Sequence, residues 1–266
     1  MFWVLQDRFF DPHAFAELRH QLDAQAAPHA VVRVNARTLA LDPPVDPAGP
    51  VFACGSSTLG RVAKSRGWWP GYVDDNLDYR LLARHYGEHL LNADAVCVPL
   101  DEAPLPAGPV FVRPVGDLKQ FAGSVMSAAD FTAWRRSLLD EIARGAHPRL
   151  HAGEPIVIAR PKELQVEYRL RVVDGAIVSA STYRRGGAPF LSDQVDERVL
   201  AFGRERVAQW SPNRAFCLDV ADTPDGLKVV EINAIGSSAF YAGDIGRYVA
   251  AIERMPCAPA SSANRA

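Results

Sequence analysis

The chain is predicted to fold as an α/β (α+β) protein, and three observations lead there. The first 70 or so residues alternate short apolar runs with helix-period segments, as a parallel sheet with covering helices does. Asp174-Gly175 divides two strand-like runs, a strong hairpin signal. Thr223-Pro224-Asp225-Gly226 divides two more, which adds an antiparallel sheet later in the chain.

Taken in order, residues 2–5 and Val31 to Val34 read as strands around a helix from Pro12 to Gln25, whose Phe15, Leu18 and Leu22 share one face. The Pro- and Asp-rich stretch Asp42 to Pro50 is a loop. Val51 to Cys54 is a strand and Thr58 to Arg66 a helix. Tyr79 to Leu91 is helical and Val96 to Leu100 strand-like. Ala103 to Pro109 is a Pro-rich connector. Val110 to Val112 is a strand, and Asp130 to Arg144 is a helix capped by Asp130. Pro155 to Ala159 is an apolar strand, followed by the hairpin of Glu167 to Val173 and Ala176 to Tyr183. Asp193 to Trp210 reads as a long helix, Ala215 to Val220 and Lys228 to Ile232 as paired strands, and Tyr241 to Ile252 as a closing helix. The expected division is an N-terminal α/β lobe with its linking helix at 1–105 and a second unit at 106–254. That unit splits into a small lobe, 106–160, and a C-terminal lobe, 161–254. The small, polar segment 255–266 is expected to be a disordered tail.

The 266 residues suit one large domain or a few joined lobes. With 48% hydrophobic and 23% charged residues and a net charge of −2, the chain is an ordinary globular protein. The neutral balance argues against broad nucleic-acid or membrane binding, which needs excess Lys and Arg. Asp7 and Arg8 interrupt the apolar N-terminus, so it is not a signal peptide, and a cytoplasmic location is expected. The four cysteines form no CxxC pair. Cys54, Cys97 and Cys217 lie in apolar runs and read as small buried side chains.

Three segments carry chemistry. Asp219 sits inside an apolar strand, and Glu231 and Asn233 stand two apart in the next, on one face. The hairpin brings them together as two carboxylates and an amide oxygen, a donor set suited to Mg2+. The same spacing also fits three polar residues facing solvent. Strand 110–112 delivers Arg113 beside Pro114 into a loop with Gly116, Lys119 and Gly123, which could cradle phosphate, although the Walker A spacing is absent. Strand 155–159 exits through Arg160-Pro161-Lys162-Glu163 towards Glu167. That exit could offer backbone groups to an adenine edge, or be a plain turn with solvated charges.

The order of these segments resembles the ATP-grasp superfamily over roughly residues 70 to 252. FVRP is followed by the Gly116 to Gly123 loop, IVIARPKEL, Glu167, Asp219 and Glu231-Ile232-Asn233. Arg113 stands where most of the superfamily has Lys. Together with RPVGDLKQFAG and Glu167-x-Arg169, it resembles the R-two-K clade. The resemblance implies an N-terminal pre-ATP-grasp lobe and two lobes clasping ATP. It also implies an ATP- and Mg2+-dependent carboxylate–amine ligase working through an acyl-phosphate, with Mn2+ as a second suitable ion. Its substrates would be small-molecule or peptide carboxylates and amines.

By the same resemblance, Arg113 and Lys119 hold phosphates, Arg160 to Glu163 line the adenine, and Glu167 holds the ribose. Asp219, Glu231 and Asn233 bind the cation. Arg169, on the face of Glu167, steadies the acyl-phosphate or pairs with Glu167. Arg184 in the basic Tyr183 to Gly187 segment, and Ser237 and Ser238 after the metal strand, are substrate candidates. Arg80 reads as a surface charge, and Trp68 and Trp69 as core or interface. A nucleotide-binding regulatory module without ligase activity, or a phosphotransferase, are the alternatives. The protein is expected to be a monomer or homodimer.

Overall fold

The computed structural model describes residues 1–75, 77–116, 121–147 and 150–255. Lys119 and nearly all of the expected tail, 256–266, lie outside them. The first sheet is built from β1 (Phe2–Gln6), β2 (His29–Val34), β3 (Leu41–Asp42), β4 (Val51–Cys54) and β5 (Pro70–Gly71) in the order β3-β2-β1-β4-β5. All its pairings are parallel except β2 with β3. Strand β4 is apolar throughout because both faces are covered, as parallel sheets require. On one face α2 (Ser57–Ser65) packs Leu59 and Val62 against Val4, Val51 and Ala53. On the other, Leu18 and Leu22 of α1 (Pro12–Ala24) meet Trp3, Leu5 and Phe52.

The helix α3 (Tyr79–Tyr86) is shorter than its periodicity predicts. Gly87, at φ 53°, ends it in the left-handed conformation that favours glycine. A second sheet follows, of β6 (Val96–Pro99), β7 (Val110–Pro114), β8 (Ser124–Met126) and β9 (Pro155–Ala159), in the order β6-β9-β7-β8. Its edge strand β6 comes from before residue 106. The partner helix α4 (Ala128–Ala143) buries Phe131 and Leu138 against it. The cap of α4 is Ser127, whose Oγ accepts from the Asp130 N–H and donates to Asp130 Oδ2, so Asp130 is the third helical residue and not the cap itself.

The third sheet is antiparallel: β10 (Val166–Val173), β11 (Ala176–Arg185), β12 (Ala188–Ser192), β13 (Ala215–Thr223) and β14 (Gly226–Ala234), in the order β12-β11-β10-β13-β14. Strand β12 occupies part of what periodicity leaves as loop, and α5 (Glu197–Gln209) starts later than predicted because Asp196 caps it. Likewise α6 (Ile245–Glu253) starts at its Asp244 cap. It returns to the first sheet, where Tyr248, Val249 and Ile252 join Trp3 and Phe52. Cys54 and Cys217 are buried, but Cys97 on the edge strand β6 is exposed, against expectation. Among the described residues no helix is long and apolar enough to cross a membrane.

The first and third sheets meet at the segment after β14. The Gly55 N–H donates to the Gly236 carbonyl at 2.9 Å, and a Cβ on Gly236 would lie 2.4 Å from the Ala53 carbonyl oxygen. That oxygen belongs to the buried strand β4 and cannot step aside alone. Gly236→Ala is expected to lower stability by about 1–3 kcal/mol, the usual cost of overpacking, read from urea denaturation.

Candidate functional site

A cavity of about 720 Å³ opens between the second and third sheets. That is the size range of small-molecule sites. Strand register builds its floor. Arg169 of β10 stands opposite Asp219 of β13, and Asp219 stands opposite Glu231 of β14. One row further along, Arg171, Cys217 and Asn233 align in the same way. Residues two apart share a face of a strand, so both rows look the same way.

Arg169 grips Asp219 through both guanidinium arms, Nε to Oδ1 at 2.8 Å and Nη2 to Oδ2 at 2.7 Å. Burial pushes the Asp219 carboxyl above its ordinary value, and Arg169 pulls it back down. Burial alone would lower the Arg169 guanidinium, but the charge and hydrogen bonds of Asp219 outweigh it and the net shift is upward. The net shift of Asp219 stays upward, and the two side chains meet in the bidentate geometry that makes such a contact strong.

Glu231 accepts from Arg113 Nη1 at 3.1 Å, which ties the second sheet to the third across the cavity. Asn233 donates through Nδ2 to Asp219 Oδ2 at 3.2 Å and to Glu231 Oε1 at 3.0 Å. Glu167 is buried; Tyr183 donates to it at 2.9 Å and Arg184 at 3.2 Å. Burial, with the charges of Asp219 and Glu167, drives the Tyr183 phenol far up, so it stays a donor.

The structure therefore brings together Arg113, Glu167, Arg169, Arg184, Asp219, Glu231, Asn233, Ser237 and Ser238 around one cavity. Arg169 pairs with Asp219 and not with Glu167, because the register of β10 and β13 sets those two directly opposite. Ser237 and Ser238 donate their hydroxyls back to the Ala234 carbonyl. Of the segment Arg160 to Glu163, only Lys162 reaches the wall, where it pairs with Asp94 at 2.9 Å. Arg160, Pro161 and Glu163 are exposed and stand outside it, and Leu164 lines the cavity instead. Arg80 is a surface charge paired with Asp78.

Sequence reasoning missed Tyr241 and Arg171. The Tyr241 ring stacks on Tyr183 at 4.7 Å with 11° between planes, and the Arg169 guanidinium lies 5.0 Å from its centre. Its backbone sits at φ 52°, a conformation unfavourable for a bulky residue. No sequence signal marks such a position.

The carboxylates supply hard oxygen donors, and Asn233 must turn its amide to add a third. Among the described residues no three His, Cys, Asp or Glu side chains gather as a metal cluster, so the fit rests on this mixed set. Arg113 and Arg169 offer the guanidinium forks that suit phosphate oxygens.

The family model for the ATP-grasp domain, R-two-K clade family 3, matches residues 60–252. The chain belongs to this family. Solved structures with the same ATP-grasp fold include D-cycloserine synthetase DcsG, at TM-score 0.63 and 14% identity over 95% of this chain and 98% of that one. The ATP-grasp ligase PsnB complexed with minimal precursor aligns at TM-score 0.57 and 14% identity, over 96% and 99%. D-alanine–D-alanine ligase from Bacillus anthracis aligns at 0.55 and 11%, over 95% and 92%. At these identities the likeness is one of fold. A sequence comparison with curated proteins gave no match.

The floor of this ATP-grasp domain rests on the Arg169–Asp219 pair. Arg169→Met should cost about 3–5 kcal/mol, because it leaves a carboxylate that is 1% exposed without its counter-charge. Arg169→Met combined with Asp219→Leu should recover most of the loss in urea denaturation, since no lone charge then remains.

Proposed function

We propose that the chain is an ATP- and Mg2+-dependent carboxylate–amine ligase acting on an amino acid or peptide. The observation that carries this reading is the convergence of Arg113, Asp219, Glu231 and Asn233 on one cavity between two sheets. Family membership supports it, as do complexes of proteins with the same fold. One PsnB structure, at TM-score 0.54 and 15% identity, is a complex with Mg and ADP. A Bacillus anthracis D-alanine–D-alanine ligase structure, at 0.52 and 13%, is a complex with ATP.

Bound ATP would supply the γ-phosphoryl group that turns a carboxylate into an acyl-phosphate, with ADP as the leaving group and Mg2+ offsetting phosphate charge, and an attacking amine would then form the amide as phosphate leaves. The protein's own share is positioning and charge. Arg113, with Lys119 six residues further along the chain, holds phosphate oxygens. Asp219, Glu231 and the turned amide of Asn233 hold Mg2+, or Mn2+ in its place. Glu167, already fixed by Tyr183 and Arg184, accepts from ribose hydroxyls. Lys162 and Leu164 border the nucleoside end, and this replaces the exposed Arg160, Pro161 and Glu163 in that role. Arg184, Ser237 and Ser238 face the acid and amine, and Arg169 offsets charge as the acyl-phosphate forms.

Because Arg113 pairs with Glu231 in the free protein, phosphates that draw Arg113 away also free Glu231 for the cation. The reading predicts that AMP-PNP with Mg2+ at a hundred times its Kd adds about 2.7 kcal/mol of stability, seen as a higher unfolding midpoint. Glu231→Gln is expected to remove the Mg2+-dependent part of that rise. The absence of any rise with AMP-PNP and Mg2+ would sink the proposal. ADP release is then measured with a panel of amino acids. Nucleotide binding without ADP release for any of them points to a regulatory module. A phosphorylated acid that persists when amine is added points to a phosphotransferase.

A further inference from the structure

Arg171 lies at the base of the third sheet, in the row of Cys217 and Asn233, and is 2% exposed. Among the described residues it has no carboxylate partner. Its guanidinium is bound by carbonyls instead. Nη2 donates to the Ser238 and Ala239 oxygens, both at 2.8 Å, and Nη1 to Ile235 at 3.4 Å. The ring centres of Phe240 and Tyr248 lie 4.3 Å and 5.1 Å from it. The nearby acids are neutral, because burial holds the Cys54 thiol up at about 12 and pushes the Tyr248 phenol well above its ordinary value.

A buried cation with no counter-ion contributes little to stability. An apolar side chain of similar volume usually serves as well or better. What a guanidinium adds is direction: a rigid fork that collects several acceptors at fixed angles. The acceptors it collects all come from the segment after β14, whose Ser237, Ser238 and Ala239 line the cavity. In a planar trans peptide the N–H points opposite its carbonyl. Turning the Ser238 and Ala239 carbonyls inward therefore turns the N–H groups of Ala239 and Phe240 away from Arg171.

We propose that Arg171 is a positioning residue whose guanidinium sets the segment Ile235–Ala239, and through it the side of the cavity that takes the acid and amine. It touches neither nucleotide nor substrate. The proposal rests on the reading of the cavity as a ligase site.

The test compares wild type, Arg171→Met and Arg171→Lys by thermal unfolding, AMP-PNP·Mg2+ calorimetry and amide hydrogen exchange. In Arg171→Met the midpoint should stay at or above wild type and the AMP-PNP·Mg2+ Kd within about threefold, while amides of 235–241 exchange about tenfold faster or more and those of β10 and β13 keep their rates. Arg171→Lys should restore part of that protection, since an ammonium also donates to carbonyls. With the amino acid that best drives ADP release in wild type, Arg171→Met should raise the KM for the acid by about tenfold and leave the KM for ATP in place. Unchanged exchange over 235–241 overturns the proposal. So does a loss spread over the whole sheet with a lower midpoint and weaker nucleotide binding, which would make Arg171 a plain structural plug. If wild type itself fails to bind AMP-PNP·Mg2+, the ligase reading is what falls.

Discussion

The register of β10, β13 and β14 is the constraint on which the site depends. Side chains alternate along each strand, so a slip of one residue would send Arg169, Asp219 and Glu231 to the opposite face of the sheet. The register is held from both ends. Asp174-Gly175 sets the turn between β10 and β11, and Thr223 caps the turn of the second hairpin by accepting from Asp225 and donating to the Gly226 carbonyl. Between the turns, Leu170, Val172, Phe216 and Leu218 are fully buried, and any slip would expose them to water.

The same sheet carries charges that a core built for stability alone would leave out. Asp219, Arg169 and Arg171 are all nearly inaccessible to water. They are satisfied in two different ways: Arg169 and Asp219 by a bidentate ion pair, Arg171 by carbonyls and aromatic faces. Desolvation opposes every one of these charges, and the protein tolerates it because the charged groups find partners in the same interior. The left-handed backbone of Tyr241, at the lip of the same cavity, adds a further local cost in the same place. The buried charge of the third sheet is thus gathered around one cavity, while the first sheet, covered by α1, α2 and α6, has an apolar core.

Much of the fold was legible in the sequence because it is written in local terms. Val51 to Cys54 and Pro155 to Ala159 are unbroken apolar runs and coincide with β4 and β9. Both hairpins follow from their turn residues. Helix errors fell at element ends, where a single residue decides the boundary: Ser127 starts α4, Asp196 starts α5, and Gly87 ends α3, while the two- and three-residue strands β3, β5 and β8 were too short to show a period. The short edge strand β12 was missed because its residues are mostly exposed on both faces and show no alternation.

For the site, the sequence by itself determined which residue types stand two apart on a strand, and so which carboxylates and amide share a face. Periodicity is enough for that. Partnership was decided only by the tertiary structure. Arg169 faces Asp219 and not Glu167, and Arg113 crosses from another sheet to Glu231. Arg160, Pro161 and Glu163 turn to solvent while Leu164 turns in. Arg171 reaches across to a segment more than sixty residues away in the chain. These are contacts between side chains brought together by sheet order and packing, and spacing along one strand contains no information about which other strand will lie opposite.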